Sequence, residues 1–314
     1  MNGCRRIAPA AVIAALIAAA LCCACAWAGA DFVPTADWEP PVIDPEQAMA
    51  EAPWLLALKV AQEEVGYREE TKGGFTKYGQ WAGNAYTQWC TDFVTWCVNE
   101  ADTRYGAGLM DRYYPRRFSS AHSVNWYTLH DRFIPGPERV PSGGERVWLI
   151  GADRYMLPHE YVPSPGDCMY ISFVSIRSGS DHTTLVEGVS VEPDGSLTVH
   201  VIEGNNPDSV QRSTYPLSST AIYGFGTPVR RANRALRLWN RGGDTAAVQR
   251  YLQQTGWLKT TRVQSQITET VVKAIKRYQK NAGLRVTGEV DLETRALMEQ
   301  DPLFLQLVAE EHAQ

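Results

Sequence analysis

The stretch Gln88-Trp-Cys-Thr-Asp-Phe-Val-Thr-Trp-Cys97 decides the fold expected for the larger part of this chain. Apolar side chains within and just after it recur at the spacing of a helix with one buried stripe: Cys90, Phe93, Val94, Cys97, Val98 and Ala101. Residues 79–87 are rich in Gly, Asn and Tyr and show no period, so we expect the helix to begin at residues 88–90. A thiol at Cys90 then lies near the positive end of the helix dipole, which favours the nucleophilic thiolate.

The length and composition indicate a folded protein of two domains. The chain has 314 residues, of which 44% are hydrophobic and 21% are charged, and both fractions lie in the globular range. Its net charge is -5, and it has neither a run of Lys or Arg nor a basic stripe. We therefore expect no nucleic-acid partner.

Residues 1–30 have the pattern of a secretory signal peptide. Arg5 and Arg6 precede an apolar segment at residues 10–21, and small residues suited to cleavage follow at Ala26-Trp-Ala28 and Ala28-Gly-Ala30. We expect a secreted or cell-wall protein with no stable membrane span after cleavage. Two alternatives stay open: an uncleaved anchor, because the apolar run can be extended to residue 28, and a lipoprotein, because three cysteines occur at residues 22–25.

The exported part keeps three cysteines, Cys90, Cys97 and Cys168, and an odd number indicates a free thiol. Two helical turns separate Cys90 from Cys97 by about 10 Å, which is too far for a disulfide. A disulfide between Cys97 and Cys168 stays possible, and Cys90 is the one expected to be free.

The segment order predicts an α+β domain over residues 54–231, after a Pro-rich linker at residues 31–53. Helices are expected first, at residues 54–65, 88–101 and 119–133. Residues 134–159 contain Pro-Gly-Pro and Ser-Gly-Gly and are expected to hold a hairpin. Strands are then expected at 168–174, 182–191, 197–202, 213–222 and 223–227. Helices followed by a small antiparallel sheet give a layout of papain-like type.

The C-terminal part has the pattern of a small all-α domain. Residues 232–243 end in Arg-Gly-Gly and are expected to be a linker. Residues 244–302 predict three helices, at 244–255, at 268–281 and after Asp291, which suits a helix N-cap. The partly apolar tail, residues 303–314, is expected to pack back on them.

Three polar side chains are candidates to act with the Cys90 thiol. His182 opens a strand, and Glu203 and Asn205 lie at the end of the next strand. A two-residue turn at 194–195 pairs residue 193 with 196, and this register places His182, Glu203 and Asn205 on one face of the sheet. The same register puts Glu203 about four residues from the point opposite His182, so a bulge or a strong twist is required.

The other histidines give no sign of a metal site. No two of the five lie at ligand spacing on one element: His122, His130, His159, His200 and His312. We expect no zinc and no cofactor.

Four motifs in order resemble the CHAP family, the cysteine, histidine-dependent amidohydrolases and peptidases of bacterial cell walls and phage lysins. They are Trp89-Cys90-x-x-Phe93-Val94-x-Trp96-Cys97, Pro165-Gly-Asp167, Asp181-His182-x-x-Leu-Val186 and Ile202-Glu-Gly-Asn205. The resemblance implies that Cys90 is the nucleophile, His182 the base, Glu203 the orienting acid and Asn205 a polar helper. Two departures concern specificity: Thr183-Thr184 follows the histidine where small residues and glycine are often found, and the segment before Pro165 is long. The sequence shows no acidic loop like the one through which some members bind calcium.

The C-terminal part resembles a peptidoglycan-binding three-helix domain. The likeness rests on Val248-Gln249-x-x-Leu252, Tyr278-Gln279, Gly283-Leu284, Val286-Thr-Gly288 and Val290-Asp-x-x-Thr294. The Asp-Gly-x-Phe-Gly loop usual before the second helix is absent, and residues 259–266 stand in its place. The resemblance implies peptidoglycan as the partner.

The function expected from these patterns is an exported peptidoglycan hydrolase that cleaves an amide bond by cysteine chemistry. The bond is either the sugar–peptide amide, as in an N-acetylmuramoyl-L-alanine amidase, or a peptide bond, as in an endopeptidase. The backbone N–H of Cys90 is the expected oxyanion donor, with Gln88 as a possible second donor. The alternatives are a non-catalytic wall-binding protein with a decayed hydrolase domain, and an enzyme that acts on a small amide.

Overall fold

The computed structural model describes residues 32–70, 73–83, 85–86, 88–140 and 146–313. The predicted signal peptide, residues 1–30, therefore lies outside the described residues. Within the described part, none of the helices has the length and hydropathy of a membrane span.

Five helices occupy the first half of the described chain. They are α1 (Pro45–Glu51), α2 (Leu55–Glu63), α3 (Lys77–Ala82), α4 (Cys90–Tyr105) and α5 (Ser120–Leu129). Helix α4 begins at Cys90, within the predicted start, and ends at Tyr105; the capping residue Gly106 follows with a φ of 65°, which suits a helix C-terminus. The apolar stripe predicted for α4 is buried, since Phe93, Cys97 and Ala101 are each 0% exposed.

Strands follow the helices and form one large antiparallel sheet, which confirms the α+β class. The strands are β1 (Phe133–Pro135), β2 (Val147–Leu149), β3 (Cys168–Ile171), β4 (His182–Val191), β5 (Leu197–Glu203), β6 (Gln211–Pro216), β7 (Ile222–Gly226) and β8 (Ala232–Arg234). Six of them form a sheet in the order β1-β7-β3-β4-β5-β6, and β2 pairs with β8 apart from it.

Both faces of the central strands are buried. On one face, Tyr170, Leu185 and Ile202 join the cluster that contains the helices; on the other, Met169 and Val186 belong to a second cluster. Burial on both faces explains why these strands appear in the sequence as nearly continuous apolar runs.

The hairpin expected within residues 134–159 is wrong. Strand β1 pairs with β7, and β2 pairs with β8, so both find partners far along the chain. Close approach explains the first pairing: a Cβ atom at Gly224 would lie 2.4 Å from Cζ of Phe133, so β7 can lie against β1 only with glycine there.

Two segments expected as linkers are packed against the domains. The backbone N–H of Val191 donates to Val33 O at 3.0 Å, and the Trp38 ring stacks on His200 with ring centroids 3.6 Å apart. In the second segment, β8 pairs with β2, and Leu236 forms a bridge with Val290. Both segments carry apolar side chains, and these side chains are buried when the segments pack on a neighbouring domain. The segments are therefore packed rather than extended, despite their Pro and Gly residues.

The C-terminal part contains α6 (Gly243–Gln254), α7 (Glu269–Asn281), α8 (Leu292–Met298) and α9 (Pro302–His312). Asp291 caps α8, because its side chain accepts a hydrogen bond from Thr294 N at 3.0 Å. The tail forms α9 and packs back as predicted: Phe304 is 0% exposed and Leu307 is 3% exposed. These helices have their own hydrophobic core.

Candidate active site

Cys90 is the first residue of α4, and it is 6% exposed. Trp89 before it is fully buried, and its indole N–H donates to Glu69 Oε1 at 3.1 Å. Gly204 closes the site from the sheet side, because a Cβ atom there would lie 2.5 Å from Cζ3 of Trp89. Trp89 is therefore fixed by these contacts, and it positions the Cys90 thiol at the N-terminus of α4.

His182 and Glu203 form a buried pair beside this thiol. His182 Nε2 and Glu203 Oε2 lie 2.7 Å apart, and the two side chains are 5% and 0% exposed. The Cys90 thiol lies close enough to act on the ring, because its hydrogen bonding and charge are among the causes that raise the pKa of His182. Since Nε2 is used by Glu203, Nδ1 is the ring nitrogen left to face the sulfur. The three side chains thus form a thiol–imidazole–carboxylate chain.

The electrostatics favour the charged form of this chain. Burial raises the pKa of the Cys90 thiol, but the hydrogen bond and the charge of His182 outweigh burial and bring the pKa below its usual value. Burial opposes the imidazolium of His182, yet the bonds to Cys90 and Glu203 raise its pKa to about 9. Both shifts favour a thiolate–imidazolium pair over a neutral thiol and a neutral imidazole.

The other two thiols behave differently. All three described cysteines are free, so no disulfide joins Cys97 and Cys168. Burial raises the pKa of Cys97 well above its usual value and raises that of Cys168 to about 12. Cys90 is thus the described cysteine with an activated thiol.

The carboxylate of Glu203 is held by more than the histidine. Asn206 Nδ2 donates to Oε1 at 2.8 Å, and the Tyr215 hydroxyl donates to Oε2 at 3.1 Å. Burial raises the pKa of Glu203, but hydrogen bonds outweigh this effect and bring that pKa below its usual value. The largest of these contributions come from His182 and Ser213. The sequence prediction missed these partners. Alternation along β6 could have found Ser213 and Tyr215, because they share the face of Glu203.

Among the hydrogen bonds of the described residues, Asn205, which the sequence predicted as a polar helper, bonds Gln88 and neither His182 nor Glu203. Its backbone has a φ of 64°, and its side chain donates from Nδ2 to Gln88 Oε1 at 2.5 Å. The left-handed turn at Asn205 is the reason that the next residue, Asn206, reaches Glu203 instead. Gln88 is exposed beside Cys90, and this bond leaves its amide N–H groups as donors.

Thr183 also contributes, although the sequence marked it only as a departure from the family pattern. Its backbone is one of the groups that lower the pKa of the Cys90 thiol. Its hydroxyl lies 3.1 Å from the hydroxyl of Thr91 on α4. Strand β4 and helix α4 are therefore joined beside the thiol.

The register of the β4–β5 hairpin brings Glu203 to His182. The loop has three residues, 193–195, with Gly195 at a φ of 85°, so the predicted two-residue turn is wrong by one position. A bulge between Val186 and Gly188 shifts the register by one more position, and Glu203 then pairs with Thr184. His182 and Glu203 share a face as predicted and are two positions apart rather than four.

A separate acidic cluster, Asp131, Asp244 and His312, has ligand atoms within 4.8 Å of one another. Its oxygens are already engaged. Asp131 accepts from Asp244 N at 2.8 Å, and Asp244 pairs with Arg230 and Arg295 at 2.7 Å each. These contacts make an ionic junction between the sheet domain and the C-terminal helices.

Residues 241–298 match the family described as "Putative peptidoglycan binding domain". The family match therefore identifies a peptidoglycan-binding domain in the C-terminal helices, which supports peptidoglycan as a partner and an association with the cell wall. A comparison with curated protein sequences found no match. Among solved structures, "The crystal structure of Ly7917" aligns with 15% identity over 56% of this chain and 62% of that chain, at a TM-score of 0.28. That likeness is too distant to indicate a shared fold.

Proposed function

We propose that this chain is an exported peptidoglycan hydrolase of CHAP type, which cleaves an amide bond of the cell-wall peptide. The observation that carries the proposal is the Cys90–His182–Glu203 chain at the start of α4, in which the pKa of the thiol is lowered. The peptidoglycan-binding domain at residues 241–298 supports the substrate class. Export would depend on residues 1–30.

In the first half-reaction, the Cys90 thiolate attacks the carbonyl carbon of the amide and forms a carbon–sulfur bond. The backbone N–H of Cys90, at the first position of α4, and the Nε2 group of Gln88 donate to the oxyanion. The carbon–nitrogen bond then breaks, and the imidazolium of His182 protonates the leaving amine. The products are a thioester on Cys90 and a free amine.

In the second half-reaction, neutral His182 removes a proton from water, and the resulting hydroxide attacks the thioester. The thiolate leaves, a carboxylic acid is released, and the imidazolium forms again. Glu203 holds the ring in the required tautomer throughout, because its oxygen accepts from Nε2 at 2.7 Å.

The test is digestion of purified peptidoglycan by residues 31–314, beside Cys90→Ala and the matched thiol control Cys97→Ala. Soluble products are identified by mass spectrometry. We expect products from the parent and from Cys97→Ala and none from Cys90→Ala. Glycans freed of peptide with intact stems indicate an amidase, whereas cut stems or bridges still on sugar indicate an endopeptidase. Equal products from Cys90→Ala and the parent would contradict the mechanism. If the parent releases no products from several wall types, the mechanism is also contradicted, and a non-catalytic wall-binding protein is favoured.

A further inference from the structure

Trp239 is the most unusual exposed residue of the C-terminal part. Its side chain is 60% exposed, and its backbone φ is 72°. A bulky residue in the left-handed region is a genuine outlier, and such residues concentrate at functional sites. Glycine would occupy this backbone conformation without strain, so the indole is retained at a cost to the fold.

The backbone around Trp239 is pinned to the connection between α6 and α7. Its N–H donates to Ile267 O at 2.8 Å, and its carbonyl accepts from Gln266 Nε2 at 3.4 Å. Ile267 N in turn donates to Asn240 O at 2.9 Å. In the part of the chain that the structure describes, neither an aromatic ring nor a cation lies against the indole face. The ring is therefore fixed at its base and open on its surface.

Exposed polar residues lie close to Trp239 along the chain. Arg237 and Arg241 are exposed on either side along the chain, and Arg241 forms a bridge with Gln266. Guanidinium and amide groups donate to hydroxyl and acetamido oxygens, while a flat indole suits the apolar C–H face of a sugar ring. Residue 239 lies outside the matched range 241–298, three residues after Leu236, which is buried in the core of the domain.

We propose that Trp239 is a stacking platform for an N-acetylated sugar ring of the peptidoglycan glycan strand, with Arg237, Arg241 and Gln266 at its polar rim. The proposal specifies which part of peptidoglycan the C-terminal domain contacts. It rests on peptidoglycan as the partner of that domain and does not depend on the hydrolase chemistry at Cys90.

The experiment measures binding by the full chain carrying Cys90→Ala, so that no wall is digested. The probes are purified peptidoglycan sacculi and glycan strands freed of their peptides. We expect Trp239→Gly to weaken binding to both probes about tenfold, which corresponds to about 1.4 kcal/mol. Its melting temperature should stay equal or rise, because glycine relieves the positive φ. Trp239→Tyr keeps a flat ring and should retain most of the affinity.

Leu305→Ala is the matched control, because Leu305 is 51% exposed on α9 in the same domain. It should leave binding unchanged. Equal binding by Trp239→Gly and its parent would overturn the proposal. A loss on sacculi with unchanged binding to peptide-free strands would overturn the assignment to sugar and point to the stem peptide. A failure of the digestion experiment at Cys90 alters none of these outcomes.

Discussion

Replacing Glu203 by glutamine tests whether the buried carboxylate sets the charge state of the thiol. Glutamine keeps the shape of the side chain and removes its charge 2.7 Å from His182 Nε2, where Glu203 is 0% exposed. An opposite charge at such a distance raises the pKa of a histidine by about one to three pH units. We expect Glu203→Gln to lower the pKa of His182 from about 9 by this amount, or about 1.4–4 kcal/mol.

The sign of the effect on Cys90 follows from the pair. Because the imidazolium of His182 is what brings the pKa of the thiol below its usual value, losing that cation at a lower pH raises the pKa of Cys90. The parent should therefore form the thiolate at a lower pH than Glu203→Gln does. Catalysis by the parent should decline as pH rises through about 9, since the imidazolium needed to protonate the amine is then lost.

The assay is the rate of iodoacetamide alkylation of Cys90 as a function of pH, measured by peptide mass spectrometry. Cys97 and Cys168 are internal references, because burial raises the pKa of both thiols. Glu192→Gln is the matched control: this carboxylate comes directly after β4, before the hairpin loop, and accepts from Thr198 at 2.5 Å. Superimposable profiles for Glu203→Gln and the parent would refute the reasoning.

Three further changes have defined outcomes. Asp92 has no hydrogen-bond partner among the described residues, and burial raises its pKa to about 7. Its unfolded pKa is lower, so unfolding experiments should show stability falling by about 2–4 kcal/mol from pH 4 to 8, and Asp92→Asn should remove that dependence. Gly204→Ala forces a Cβ onto Trp89 and should cost about 1–3 kcal/mol in denaturant unfolding, with slower Cys90 alkylation; unchanged values would contradict the packing. Tyr215→Phe removes a hydrogen bond to the buried Glu203 carboxylate and should lower the free energy of unfolding by about 0.5–1.5 kcal/mol in denaturant unfolding; unchanged stability would contradict the contribution of this bond.

Local signals predicted the elements that carry the site. The start of α4 at Cys90 followed from a change of composition and the onset of a helical period, both of which lie within a few residues. The bounds of β4, His182–Val191, also agree with the prediction. These features depend on sequence neighbours, so a single chain was sufficient to find them.

Long-range partners could not be predicted in the same way. Strand β1 pairs with β7 at a distance of about ninety residues in the chain, and the glycine that permits this pairing is Gly224 on the later strand. The hydrogen bond from Asn206 to Glu203 could not be predicted for a related reason. A residue at φ 64° turns the chain at Asn205, and nothing local distinguishes Asn205 from Asn206 as the side chain that reaches the carboxylate.

The prediction that His182 and Glu203 share a face of the sheet is correct because two shifts of the β4–β5 register cancel. A one-residue change of register reverses the faces of a strand, and the three-residue loop alone would have separated the pair. The bulge restores the faces, and its extra residue, Glu187, is 0% exposed and pairs with Arg212 at 2.8 Å and Gln62 at 2.8 Å. These contacts from β6 and α2 hold the bulge in place. The spacing of His182 from Glu203 therefore depends on the Glu187 carboxylate, which contacts neither of them. The alternation of side chains along the strands could predict that His182 and Glu203 share a face, but it could not predict how far apart they lie along the strands.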